Sequence, residues 1–502
     1  MNIRIILAGV LMMTTSACSN FLDVTPETSL SSVDFYKSKT DIEQAVGGVY
    51  APLQALYNQD WILNEMRSDN THFVFNIAQR GPKQDEDPST FTVENNNTNT
   101  TAKWNNNYLI ISRANVILES IDAVEFEQTP KDNLKGQTYF LRAFAYFDLV
   151  KNFGGVPIFT KPADSYQTTF KPRSGVNEVY DQILSDLAQA TTLLPEKSKQ
   201  DAGRVTSGSA YTLLGDVYAS LNRWQDAEIA LTKVTGLGYS LLPNYRDVFS
   251  PTNEGNAEII FDVHYAEGTA QAVSNYLPYK FLPVLSNPAI ITGVTPSASN
   301  TDGCYNTPTP DLIAAYEDTL ADTRFAASIG FHSGSSPLVG VVYNNTPYVR
   351  KYLFPHSRYR ETATNWPVYR YAEVLLLLAE AINEQNRPND AVAQLNLVRR
   401  RAGLTDIEAV SQSAVREAII KERRIELAFE NKRWRDLVRT GKAVTTMNTY
   451  GAQVKANPQK YYYPLGSAPA DAAFRVSERD LLYPIPISEI VINPELTQNE
   501  GY

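Results

Sequence analysis

Two stretches of this chain carry the same arrangement of small and large apolar residues, and it is the arrangement of two helices in close contact. In the first, Leu214, Gly215 and Tyr218 are followed by Ala227, Leu231 and Val234; in the second, Leu378, Ala379 and Ile382 are followed by Ala391, Leu395 and Val398. In both, the small residues stand twelve apart, and Asn222-Arg223 or Arg387-Pro388-Asn389 supplies the turn between. A helix brings residues i, i+3 and i+4 to one face. Small residues at Gly215 and Ala227 therefore let two helices approach, while Tyr218 and Leu231 fill the seam. These are the offsets of tetratricopeptide-type repeats, with Tyr211 and Leu375 where Trp is usual. The copies lie far apart in the chain, which excludes a simple tandem solenoid.

Further helices follow from the same periodicity. Thr40-Asp41-Ile42-Glu43 reads as a capping box, Thr40 as the cap and Glu43 reaching back, ahead of Ile42, Ala45, Val46, Val49, Tyr50 and Leu53 at helical spacing. Residues 69–107 carry Gly81-Pro82, Asp87-Pro88 and seven Asn between Asn95 and Asn107, which predicts a long polar loop region. Helical patterning returns from Trp104. Helices are expected at 131–152, stopped by Gly154-Gly155 and Pro157, and at 176–194, ended by Pro195. Helix resumes at 368–384, 389–401 and 413–431. Residues 251–366, rich in Pro, Gly, Ser, Thr and Asn, break the rhythm. The expected fold is mainly α, with TPR-like helical repeats and a large irregular, loop-rich insertion. Its helical frame covers about 34–250 and 367–440, the insertion about 251–366, and a loop-rich tail 441–502.

The N-terminus is a secretory signal. Arg4 is followed by an apolar run, Ile5 to Met13, and then by Thr14, Thr15, Ser16, Ala17 and Cys18. The run is too short to span a bilayer, which takes about 20 residues. A Cys at this place is the lipid-accepting residue of a bacterial lipoprotein, so residues 1–17 are read as signal and Cys18 as the lipidation site; Thr15 stands where such signals usually carry Leu. The alternative is simple secretion with Cys18 free. With Cys18 lipidated, Cys304 is the only other Cys and no intramolecular disulfide forms, so a large core must supply the stability. The net charge of −10 argues against a nucleic-acid partner and against charge-driven binding to anionic lipid. The 29 Tyr and 20 Phe suit both a thick core and an aromatic binding surface.

In order along the chain, a set of motifs resembles the SusD/RagB family. They are Asn20-Phe21-Leu22-Asp23; Trp104, Tyr108, Ile111 and Ala114-Asn115; Phe140-Leu141-Arg142-Ala143 with Phe153-Gly154-Gly155-Val156-Pro157; and Gly203-Arg204-Val205-Thr206. Tyr369-Arg370-Tyr371-Ala372-Glu373, Leu395-Asn396 with Val398-Arg399, Glu422-Arg423 with Glu426-Leu427-Ala428-Phe429-Glu430, and Arg433-Trp434 follow. The ending, Pro484-Ile485-Pro486, Asn493-Pro494 and Gln498-Asn499 before Gly501-Tyr502, is similar too, with Glu500 where the family usually has Pro. The resemblance implies about four TPR-like helix pairs, a lipid-anchored place at the outer-membrane surface, and a SusC-like TonB-dependent transporter as partner. It implies an oligosaccharide ligand, or in some members a peptide, and no cofactor.

The stripe Glu422, Glu426 and Glu430, interleaved with Arg423, Arg424 and Arg433, has the spacing of structural ion pairs on a helix rather than of two carboxylates facing across a glycosidase cleft. A glycoside hydrolase is the less favoured reading, and a TPR scaffold with protein partners alone is a further one. His72, His264, His332 and His356 show no metal-ligand spacing, and no catalytic residue or metal site is expected. Sugar recognition needs aromatic faces beside hydrogen-bonding side chains. Two regions supply both: Trp61, Asp69, Asn70, Phe73, Phe75, Arg80 and Trp104 in the first, and Tyr276, Tyr279, Tyr305, Tyr343 and Trp366 in the second. These twelve are the candidate ligand residues.

Overall fold

The computed structural model describes residues 36–73, 83–268, 273–299, 301–336, 338, 340–408 and 411–502. The helical frame starts with α1 (Lys39–Tyr50), α2 (Pro52–Asn64), α3 (Thr98–Ser120), α4 (Gln128–Phe153) and α5 (Val176–Leu193). It continues with α6 (Ser207–Ser220), α7 (Trp224–Thr235), α8 (Tyr371–Glu384), α9 (Pro388–Arg401), α10 (Gln412–Glu426), α11 (Arg433–Arg439) and α12 (Ala443–Ala456). From α3 to α7 each helix packs on the next; α7 then packs on α8, and α8 on both α9 and α10. The two sequence copies are thus the pairs α6/α7 and α8/α9, distant in the chain and adjacent in space. Gly215 does what its position predicts: a Cβ there would lie 2.5 Å from the Leu231 side chain. No described helix is long and apolar enough to cross a membrane.

Several boundaries differ from the sequence reading, each for a local reason. The cap of α1 is Ser38, not Thr40: Asp41 N–H donates to Ser38 Oγ at 3.3 Å and Ser38 N–H to Asp41 Oδ2 at 2.8 Å. The region expected as loop from 69 to 107 holds a short helix, Lys83–Thr90, and α3 begins at Thr98. Asn97 caps α3 by accepting from Asn99 and Thr100 N–H, and Asn99, Asn106 and Asn107 donate to nearby oxygens, so the Asn run is held as helix. Gly154, at φ +73°, ends α4 as expected. The helix expected over 413–431 stops at Glu426. Beyond it Phe429 and Asn431 take positive φ, and their N–H groups donate to Glu65 Oε1 and Oε2 at 2.9 Å each. The tail expected as loop after Gly441 holds α12, which packs with Phe91, Trp434, Tyr461 and Phe474 in a second apolar cluster.

The insertion is a closed excursion from the frame. Strand β2 (Ile259–Val263) near its start pairs antiparallel with β6 (Trp366–Arg370) at its end, Ile259 opposite Arg370 and Val263 opposite Trp366. Residues 368–370, expected as helix, belong to that strand. From the excursion, β3 (Thr307–Pro308) pairs with β1 (Thr71–His72), and within it β4 (Ile329–Ser336) forms a hairpin with β5 (Val341–Val349). The β1–β3 pair fastens the segment after α2 to the insertion.

A second set of contacts fixes the frame from inside. Arg370 meets Glu258, Glu426 and Glu430; Arg324 meets Asp322, Glu422 and Glu426; Arg401 meets Glu258 and Glu426; and Lys351 meets Glu430. Their side chains are almost wholly buried. Glu422, Glu426 and Glu430 therefore form an ion-pair girder joining α10, α9, β6 and the insertion; they are structural ion pairs as expected, but the partners are Arg324, Arg370, Arg401 and Lys351, while the interleaved Arg423 pairs with Asp436 and Arg424 and Arg433 with Asp69. Arg142 and Asp186 join α4 to α5 in the same manner, with bonds of 2.8 and 2.7 Å.

Candidate functional site

The two regions singled out in the sequence meet in one place. Trp61, on α2, packs edge-on against Phe281 and Tyr305 at centroid distances of 5.3 and 5.5 Å, and Phe73 packs on Tyr305 at 5.2 Å. These rings are buried and form a base. Above it lies Lys280, whose ammonium is 5.2 Å from the Tyr305 ring, 5.6 Å from Tyr276 and 5.9 Å from Trp61. Asp302 lies between two cations, 3.6 Å from Lys280 Nζ and 3.2 Å from Arg360 Nη2. Asp85 accepts from Asn99 Nδ2 at 2.9 Å. Burial raises its carboxyl above the usual value, against the Asn99 bond and Lys280.

Tyr276, Lys280, Asp302, Arg360 and Asp85 are all half-buried, so the patch offers solvent an aromatic ring beside two cations and two carboxylates. Arg360 holds φ at +63°, a left-handed conformation that a non-glycine residue adopts at a cost and that clusters at functional positions. The arrangement suits a ligand with an apolar C–H face and many hydroxyls, each of which donates and accepts.

Of the twelve candidate residues, the structure gathers Trp61, Phe73, Tyr305 and Tyr276 here, and of these Tyr276 alone is half-exposed. The others have different surroundings. Asp69 is clamped by Arg433 (2.8 and 3.0 Å) and Arg424 (3.0 Å); Asn70 bridges Glu65 and Arg424. Trp366 is fully buried and stacked on Tyr352 at 4.5 Å. Tyr279 is buried with its hydroxyl 2.7 Å from His356 Nε2, and Tyr343 Oη accepts from Val284 N–H at 3.1 Å. For these five the surroundings are those of packing and pairing, because the three rings are buried against neighbours and Asp69 and Asn70 are already hydrogen-bonded. Trp104 is wedged between Tyr108 and Phe153 and forms one wall of a separate apolar cleft of about 430 Å³. Phe75, Arg80 and Cys18 lie outside the described residues.

Sequence reasoning missed Lys280, Asp302, Arg360, Asp85 and Asn99. Their only signal was charge and amide groups interspersed with the aromatics of the insertion and the Asn-rich run. The left-handed backbone at Arg360 has no counterpart in composition.

The comparisons agree with this architecture. Residues 340–502 match the SusD family, and residues 20–219 match a family described as starch-binding, associating with outer membrane. A SusD-like protein of Formosa agariphila is 28% identical over 524 aligned residues, covering 97% of this chain and 96% of that relative. The starch-binding protein SusD of Bacteroides thetaiotaomicron is 24% identical, covering 78% of this chain and 76% of its own. A solved laminarin-binding SusD-like protein superposes with a TM-score of 0.75 at 27% identity, over 93% of this chain and all of that one. From the N-terminal third to the last residue, in helix-pair fold and in sequence, this chain belongs to the SusD/RagB family.

Proposed function

We propose that this chain is a lipid-anchored, cell-surface binding protein. It captures oligosaccharide at the Tyr276 patch and delivers it to a SusC-like TonB-dependent outer-membrane transporter without cleaving it. The observation that carries the reading is the patch itself: a half-exposed aromatic ring ringed by Lys280, Asp302, Arg360 and Asp85, on a buried aromatic base. Relatives that bind laminarin and starch support a glycan as the ligand. The signal sequence read over residues 1–17, directly ahead of Cys18, and the outer-membrane description of the matched family support the location. Glu422, Glu426 and Glu430, the carboxylates whose sequence spacing could imitate a hydrolase site, are each engaged in the buried girder, which supports a structural role for them.

The test is a binding screen of the protein lacking residues 1–18 against a panel of oligosaccharides, by calorimetry, with product analysis of the same mixtures. A stacked ring contributes on the order of 1 kcal/mol, so micromolar to millimolar affinity is expected, with Tyr276→Ala weakening it about fivefold. Unchanged affinity in both Tyr276→Ala and Arg360→Ala would remove the patch from the site. Release of shorter glycans would overturn the non-catalytic reading.

A further inference from the structure

The cleft of about 430 Å³ beside Trp104 shares no lining residue with the Tyr276 patch. Its walls are α3, through Trp104, Tyr108 and Leu109, the segment after α4, through Phe159 and Phe170, and the short helix Ile487–Ile492. The rim is apolar as well: Leu109 is 40% exposed, Ile492 52% and the neighbouring Val491 77%. Apolar residues grouped at the surface around a cleft of this size mark a place that something covers. The lining charges are Glu489 and Lys161. Glu489 accepts from Trp104 and Ser488, whereas Lys161 stands exposed at the edge.

The described chain starts next to this cleft. Tyr36 packs against the core; burial raises its hydroxyl, and the nearby Arg113 guanidinium opposes the rise. Arg113 also donates to Gly48 O of α1 at 2.5 Å. It follows the exposed Leu109 by one turn, on the same face of α3. Residues 19–35 precede Tyr36 and lie outside the described residues. They carry Asp23, Glu27 and Asp34 and no Lys or Arg, which suits a course past Arg113 to Lys161. Near their start stands Phe21-Leu22-Asp23-Val24-Thr25-Pro26. A residue ahead of Pro favours extended backbone, and in an extended chain Leu22, Val24 and Pro26 share one side while Asp23 takes the other. The chain from Pro26 to Tyr36 reaches up to about 35 Å, the whole length of α3.

We propose that residues 21–26 dock in this cleft, with Leu22, Val24 and Pro26 against Trp104, Phe159 and Ile492 and Asp23 toward Lys161. Docking shortens the tether. The chain from Cys18 to Phe21 spans about 10 Å, against about 60 Å from Cys18 to Tyr36. With Cys18 lipidated, as the proposed function has it, docking holds the cleft face at the membrane.

The experiment is amide hydrogen exchange, read by mass spectrometry, on the protein lacking residues 1–18, with a free peptide of residues 19–35 as reference. Neither lipid nor glycan is present, so the outcome does not depend on the anchor or on sugar binding. Amides of residues 22–25 should exchange at least about tenfold more slowly in the protein than in the peptide. Leu22→Asp, in the segment, and Ile492→Asp, at a half-exposed rim position, should each return them to the peptide rate, while unchanged exchange in α4 and α8 shows the fold intact. The proposal is overturned if those amides exchange in the protein as in the peptide, or if either variant keeps the protection. It is also overturned if the protection rises with protein concentration, since that would put the segment of a second copy in the cleft.

Discussion

Asp69 separates two roles that a carboxylate beside a binding region can have, and Asp69→Asn decides between them. Burial pushes the Asp69 carboxyl up, but Arg424 and Arg433 outweigh it and hold the group down to about 2, from an ordinary 3.8. At 1.36 kcal/mol per unit, the clamp stabilises the fold by about 2 kcal/mol at neutral pH. The substitution removes the charge and leaves two buried guanidiniums facing an amide, which costs more than the shift alone, about 3 kcal/mol. For a chain of this length the unfolding entropy is about 1 kcal/mol per degree, so Tm should fall by about 3 °C. Oligosaccharide affinity measured well below Tm should stay within twofold. The pH response gives a second check. The unfolded Asp69 binds a proton between pH 4 and 2 while the folded one does not, so wild-type stability falls as pH drops through that window. In Asp69→Asn that part of the slope is missing. An unchanged Tm together with lost binding would show that Asp69 serves the ligand and that the clamp is incidental.

Two other outcomes follow from the packing and the buried charges. Gly215→Ala sets a Cβ 2.5 Å from Leu231; overpacking of about 1–3 kcal/mol outweighs the ~1 kcal/mol of helix propensity gained. Calorimetric unfolding should show a net loss, and in a double-mutant cycle Leu231→Ala should cost less on the Gly215→Ala background than alone; strict additivity would mean that α6 and α7 do not meet there. Glu65 is raised to about 7 by burial, against its bonds from Asn70, Phe429 and Asn431. Its folded value exceeds its unfolded one, so its contribution is present below pH 4.5 and about 3 kcal/mol is lost as pH rises to 7. Denaturation series from pH 4.5 to 8 should show stability declining by that order, and a flat profile would mean that the carboxyl stays ionised in the fold.

What could be read from the sequence and what could not divide along physical lines. Gly215, Ala227, Ala379 and Ala391 were legible because helix packing is a short-range geometric rule: a small residue facing a large one at fixed spacing means the same thing in any chain. The ion pairing of Glu422, Glu426 and Glu430 was legible because carboxylates set among arginines need cations wherever they point, although Glu430 lies beyond the end of α10 and the partners come from other elements. The loop assigned to residues 69–107 failed from Thr98 on because an Asn-rich run looks polar and irregular until one knows that Asn97 caps a helix and that Asp85 and Asp148 await the amides of Asn99 and Asn107. The site was half legible. Trp61, Phe73, Tyr276 and Tyr305 were named by residue type alone, and they converge because β1 pairs with β3, a contact between residues 71–72 and 307–308. No local pattern announces a two-residue bridge across so long a stretch of chain. For the same reason the groups that face solvent on that aromatic base, Lys280, Asp302 and Arg360, could not be told apart from any other surface charge. Type and spacing reveal which residues must be covered; which of them stay open to a ligand depends on long-range pairing. The proposed sugar-binding patch, assembled across β1–β3, should therefore tolerate changes in its aromatic base poorly in its stability and changes in its charged rim well, with the rim setting which glycan is taken.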